Sequence, residues 1–150
     1  MSPLDHSIKV RAQSQILKGE EITIQYLSFM YGHLKRKFTI RDFWNFDCNC
    51  ARCQDPSELG SLMSAMKCPD CESGDLLTTN PMDLQASWLC SKCGHKQSAE
   101  SVQDFFDSCD DTLMDTLEID TEKYERVLQE FLQRLHPNNY FGRLLCNLDF

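Results

Sequence analysis

Seven of the nine cysteines fall into two groups with the spacing of metal ligands. Cys48, Cys50 and Cys53 read C-x-C-x2-C, and Cys68, Cys71, Cys90 and Cys93 read C-x2-C-x18-C-x2-C. Four thiolates in two knuckle pairs suit one tetrahedral Zn2+. The second group is therefore expected to hold one zinc. Pro69 stiffens its first turn and Gly94 permits the second. Binding of this kind is folding energy, on the order of 10 kcal/mol at neutral pH. The first group has three thiols and needs a ligand from elsewhere, so it is expected to be an incomplete zinc site. His6, His33, Cys109 and Cys146 are the remaining candidates, but their spacing supports none of them. Cys109 falls in the apolar stripe of a helix and reads as core. His95, directly after Gly94, reads as outside the coordination sphere.

Composition narrows the setting for these thiols. The chain has 150 residues, 41% hydrophobic and 25% charged, enough for one domain or a few small modules. No apolar run is long enough to span a membrane, and Met1 to Val10 lacks an apolar signal core. An intracellular, reducing setting is expected, where clustered cysteines mean metal more often than disulfides. The net charge of −8 is uneven. Residues 1–53 carry eight Lys/Arg and five Asp/Glu, net +3, and residues 54–150 carry seven and eighteen, net −11. So acidic a half would repel a phosphate backbone, and nucleic acid is not an expected partner.

The elements that must position the cysteines follow from periodicity. Ile8 to Gln13 and Ile22 to Tyr26 alternate apolar and polar residues and predict two strands about a turn at Leu17 to Glu20. Leu34 to Phe43 predicts a short helix with a basic outer face. Metal ligands and tight turns leave little room for regular structure in residues 44–53. Gln54 to Ser61 reads as a polar connector. Residues 65–97 predict a zinc ribbon with strands near Leu76-Leu77 and Trp88-Leu89. Val102, Phe105, Phe106, Cys109, Leu113 and Leu117 then follow helical spacing. A second helix, capped at Asp120-Thr121, carries Tyr124, Val127, Leu128, Phe131, Leu132 and Leu135 on its stripe, and Pro137 follows its end. Tyr140 to Leu148 begins a third. The fold class is α+β: a small β-rich part, a cysteine-bound segment, a ribbon and the start of an αα-hairpin array.

One combination of residues is specific. Gly19-Glu20-Glu21-Ile22-Thr23-Ile24-Gln25-Tyr26, followed by Trp44-x-Phe46-x-Cys48-x-Cys50-x2-Cys53, resembles the C-terminal part of a SET domain and its post-SET segment. The family is the SET-and-MYND-domain (SMYD) protein-lysine methyltransferases. The 55–60 segment and the ribbon look most like its arthropod branch, and the tail around Leu135 to Asn138 resembles the start of its TPR-like domain. The resemblance implies a division into 1–43 (C-terminal part of SET), 44–64 (post-SET segment and connector), 65–97 (zinc ribbon) and 98–150 (TPR-like helical region).

The resemblance also implies roles. Tyr26 would be the tyrosine at the methyl-transfer site, Trp44 would line the lysine channel, and Phe46 would pack against the adenine of S-adenosylmethionine. Cys48, Cys50 and Cys53 would be post-SET zinc ligands whose fourth partner comes from an upstream asparagine-histidine segment. That segment, the cofactor loop and the MYND finger have no match here, so the chain alone is expected to be an inactive fragment. Its substrate would be a histone tail or another lysine-containing protein, in the cytoplasm or nucleus. From the residues alone, Tyr26 could equally be an aromatic that caps a sheet, and Trp44 and Phe46 could simply cover the metal site. The whole chain could be a non-catalytic, zinc-stabilised interaction module.

Overall fold

The computed structural model describes residues 8–71, 73–115 and 121–146. In chain order the elements are α1 (His33–Trp44), α2 (Ala51–Gln54), β1 (Met66–Lys67), β2 (Asp75–Thr78), β3 (Trp88–Cys90), β4 (Lys96–Gln97), α3 (Ala99–Asp115), α4 (Thr121–Arg134) and α5 (Tyr140–Cys146). Helices and a small sheet share the chain, as the α+β expectation required.

The four strands form one antiparallel sheet in the order β1-β2-β3-β4. Met66 pairs with Leu76, Leu76 with Cys90, and Trp88 with Gln97. This register turns Met66, Leu76, Trp88 and Cys90 inward, all 3% exposed or less. Helix α3 lays Val102, Phe105, Phe106 and Cys109 on that face, as its stripe predicts. Phe131 of α4 meets Phe105 edge-on at 5.8 Å, and Phe141 of α5 stacks on Phe106 at 5.7 Å. Each such side chain, fully buried, contributes roughly 1.5–3 kcal/mol. Asn139, wholly buried, donates to the Ala65 carbonyl and accepts from the Phe141 N–H, so the start of α5 is tied to the residue before β1. Leu113, Leu117, Tyr124, Val127, the Asp120 cap and the chain beyond residue 146 lie outside the described side chains.

The N-terminal region departs from the sequence expectation. No strand forms at Ile8 to Gln13 or at Ile22 to Tyr26. Ile8, Val10, Ile22 and Ile24 are 68–85% exposed. Alternation specifies which face a strand would bury, but the strand itself needs a neighbour for its amides. Among the described residues none pairs with this segment. The turn between the two does form: Gly19 has φ +90°, and the Leu17 N–H donates to Glu20 Oε2 at 2.8 Å.

Helix α1 corrects a second expectation. Its predicted basic outer face is largely inside, with Arg36 6% and Lys37 3% exposed. Arg36 donates to the Tyr31 carbonyl at 2.8 Å and to Glu58, and Lys37 donates to the Cys48 carbonyl at 3.2 Å. Long cationic stems can be buried where each head finds acceptors. Apart from the Tyr31 carbonyl just before the helix, those acceptors come from the connector and the cysteine segment, which the helix's own pattern does not reveal. The connector is itself built rather than loose. Asp55 accepts from the N–H groups of Ser57 and Leu59, both at 2.8 Å, and Glu58, Leu59 and Leu62 take left-handed conformations. At the end of 44–53, where irregular chain was expected, Ala51–Gln54 forms one helical turn that runs one residue past it.

Candidate functional site

The ribbon cysteines converge. The thiol sulfurs of Cys68, Cys71, Cys90 and Cys93 all lie within 4.8 Å of one another. Cys68 and Cys93 are 3.5 Å apart, and Cys71 and Cys90 are 3.7 Å apart. Four sulfurs at about 2.3 Å from one Zn2+ stand about 3.8 Å from each other, so the set fits a tetrahedral ion. Disulfides are excluded at these separations. The knuckles also aim backbone donors at sulfur: the N–H groups of Lys92 and Cys93 point to Cys90, and that of His95 points to Cys93, at 3.4–3.5 Å. The Ser73 N–H, first among several donors, brings the Cys71 thiol down to about 6, while at Cys93 the pull of the His95 N–H is outweighed by burial and the neighbouring thiols, which push it up to about 12. Gly94, at φ +77°, turns the second knuckle as expected. His95 stays out of the cluster and bonds through Nδ1 to Asp70 at 2.6 Å.

Cys48, Cys50 and Cys53 likewise bring three thiols within 4.8 Å of each other. The turn of α2 does this: the N–H of Cys53 donates to the Cys50 carbonyl at 2.9 Å. Lys37 holds the Cys48 carbonyl from below. Among the described residues no histidine, cysteine or carboxylate completes the set. Instead the Arg36 guanidinium approaches Cys53 Sγ at 3.9 Å. Burial pushes the Cys53 thiol up to about 11, against the pull of Arg36. Of the other ligands weighed, His33, the first residue of α1, is buried with Nδ1 unpartnered among the described residues, and burial lowers it to about 4. Cys109 is 0% exposed in the core, and burial pushes it up to about 12. The side chains of His6 and Cys146 lie outside the described residues.

Beside this trio three aromatic rings meet. Tyr26 packs edge-on against Trp44 at 5.6 Å and against Phe46 at 5.2 Å. Local backbone explains how residues 44 and 46 both reach it. Helix α1 ends at Asn45, whose left-handed φ of +53° turns the chain while its N–H closes onto the Arg41 carbonyl. Arg41 then bridges Asp47 at 2.8 Å. A cavity of about 370 Å3 opens next to the rings, lined by residues of the 21–26 segment and by Phe46 to Cys50. Tyr26 and Phe46, which line it, are 44% and 37% exposed, and Trp44, which meets Tyr26 without lining the cavity, is 43% exposed. Aromatic faces in such a cleft can stack on a flat heterocycle or border a cation and its methylenes.

The chain is 36% identical over 86 residues to the SET domain-containing protein SmydA-8 (isoform A) of Drosophila melanogaster, covering 56% of this chain and 18% of the relative. It is 28% identical over 99 residues to the histone-lysine N-methyltransferase ASHR1 of Arabidopsis thaliana, covering 63% and 20%. Mouse histone-lysine N-methyltransferase SMYD3 is 42% identical over 55 residues, covering 37% and 13%. The chain resembles the SMYD family of SET-domain proteins. It spans about a fifth of the length of the first of these relatives. No family model matches it, and neither does any solved structure.

Two features of this SMYD-like chain escape a reading by motif. Gly74 is one: a Cβ there would stand 2.4 Å from Cys90 Sγ and 3.3 Å from Cys71 Sγ, so the thiol cluster requires glycine at that position. Its place three residues after Cys71 was the available signal. The other is Glu58, which accepts from Arg36 and from the Ser64 N–H at 2.7 Å and ties the connector to α1. A lone glutamate in a polar stretch gives no such signal.

Proposed function

We propose that this chain carries part of the transfer site of an S-adenosylmethionine-dependent protein-lysine N-methyltransferase of the SMYD kind. In this reading the ribbon group holds one structural Zn2+, and the Cys48–Cys50–Cys53 group is a zinc site that lacks its fourth ligand. The observation that supports this reading is the meeting of Tyr26 with both Trp44 and Phe46 beside the three-thiol cluster. The cofactor supplies an electrophilic methyl group when bound. Tyr26 presents a hydroxyl that accepts a hydrogen bond from the lysine amine and aligns its lone pair, catalysis by positioning. Trp44 borders the lysine's methylenes, and Phe46 offers its face to the adenine. The substrate class is a lysine-bearing protein such as a histone tail, and the place of action is the cytoplasm or nucleus. In this reading residues 1–43 complete a SET domain, 44–64 are its post-SET segment, 65–97 are a ribbon, and α3 to α5 begin a TPR-like array within 98–150.

A second reading has its own support. The core is drawn mainly from the ribbon and α3 to α5, with Met63 of the connector in it and Met30 and Leu34 packed against it, and Tyr26, Trp44 and Phe46 take no part in it. Such a unit could serve as a zinc-stabilised interaction module without catalysis.

The test is calorimetry with S-adenosylmethionine plus methyl incorporation into histones. The isolated 150 residues are expected to show neither, because three half-exposed rings make one wall of a channel. Joined to an upstream SET half, the chain should support transfer, and Tyr26→Phe should lower the rate more than it weakens cofactor binding. A joined protein in which Tyr26→Phe leaves the rate unchanged would remove Tyr26 from the transfer site and favour the module. Micromolar cofactor binding by the isolated chain would refute the single-wall reading.

A further inference from the structure

A groove of about 940 Å3 lies on the ribbon side of the molecule, away from the aromatic rings. It is bordered by both outer strands of the sheet, by the start of α3 and by the end of α4. Its charge is the first notable property. Lys67, Lys96 and Arg134 line it, and among the described residues no aspartate or glutamate does, although residues 54–150 have net charge −11. Lys67 spends one donor on the Leu132 carbonyl at 2.7 Å, and Arg134 lies 3.9 Å over the Phe105 ring, so both heads are held in place. The Lys96 side chain is exposed and has no hydrogen-bond or ion-pair partner among the described residues. Asp70, on the knuckle at the rim, is taken up by His95.

Backbone geometry is the second property. β1 and β4 are the two edges of the sheet. The outer side of β1 is covered, because Met66 bridges Leu135 and the Ala65 carbonyl accepts from His136 and Asn139. β4 has β3 as its one strand neighbour. The His95 carbonyl accepts from Cys90, so its backbone faces β3. Alternation along an antiparallel strand then turns the amide and carbonyl of Lys96 outward. An uncovered strand edge is a template for an added strand.

We propose that this groove docks an extended acidic segment of a partner protein, which adds to the free edge of β4 and pairs its carboxylates with Lys96 and Arg134. A four-thiolate zinc behind Cys68 would carry net charge −2, so the carboxylates are placed toward Arg134 rather than against the knuckles. A peptide fits better than nucleic acid. Three cations match a short acidic run, and a longer polyanion would cross the acidic remainder of the chain.

The test uses the 150-residue chain and a fluorescein-labelled nine-residue peptide with Glu at alternate positions, followed by polarisation. Binding is expected with Kd on the order of 10 µM to 1 mM. It should weaken tenfold or more in Lys96→Glu, and more modestly in Arg134→Gln. Both side chains are exposed, and unchanged circular dichroism of the variants secures the comparison. A peptide with proline at its pairing positions should bind at least tenfold more weakly, as strand addition requires. Absence of binding up to about 1 mM chain, indifference to Lys96→Glu, or equal binding of the proline peptide would each overturn the proposal. An oligothymidylate that binds as tightly and is lost in the same variant would reassign the groove to nucleic acid.

Discussion

Arg36 and Glu58 form a buried ion pair, their side chains 7% and 1% exposed, that joins helix α1 to the connector behind the first cysteine group. Glu58 also accepts from the Ser64 N–H, and Arg36 reaches toward Cys53 Sγ. The pair thus sets where α1 lies relative to the cysteines. Removing one partner leaves the other charge buried and unmatched, at a cost of about 3–5 kcal/mol. Glu58→Ala is expected to lower stability by that order in urea denaturation, and Arg36→Met with Glu58→Leu together should recover much of the loss. A single variant that unfolds at the parent midpoint would contradict the burial.

Metal should leave the two cysteine groups separately. The ribbon offers four converging thiols, whereas the first group offers three and a nearby guanidinium that repels a cation. Protein purified without added zinc should retain about one tightly held equivalent, lost on combined Cys68→Ser and Cys90→Ser. Chelator titration should strip the Cys48–Cys50–Cys53 site first. One step releasing two equivalents at equal affinity would mean that a fourth ligand reaches the trio.

Gly74→Ala should damage the ribbon although it touches no ligand covalently. The added methyl would lie 2.4 Å from Cys90 Sγ, inside any permitted contact. Metal affinity measured by competition with a chelator should fall tenfold or more. Gly60→Ala is the control: it stands at positive φ with open space around it, so it strains the connector and should leave ribbon affinity unchanged.

His33 should make the fold acid-sensitive. Burial, with Arg36 and Lys37 adding to it, lowers this imidazole to about 4 from 6.5. The folded state therefore disfavours the proton that the unfolded chain accepts. Its contribution is complete above about pH 6.5 and is lost as pH falls from there toward 4, roughly 3 kcal/mol in all. His33→Gln should flatten the stability–pH curve across that window. An unchanged slope would show that other groups govern acid unfolding.

Cysteine spacing marked the two thiol clusters, because thiols one to three residues apart can reach a single ion from one turn of the chain. Helical stripes likewise marked Val102, Phe105, Phe106 and Cys109 as core, since burial on one face of a helix is written into a period of 3.6 residues. The motif from Gly19 to Cys53 led to the SMYD resemblance. Other features depended on groups distant in sequence. Lys37 was buried by a carbonyl eleven residues away, and Arg36 by a glutamate twenty-two residues away. The alternating segments at Ile8 to Gln13 and Ile22 to Tyr26 stayed outside any sheet, because a strand is completed by its neighbour and not by its own pattern. Gly74 became indispensable only when the fold brought Cys90 against it. The basic groove exists because β4, the first knuckle and the end of α4 meet in space, and no local run of the sequence contains them together.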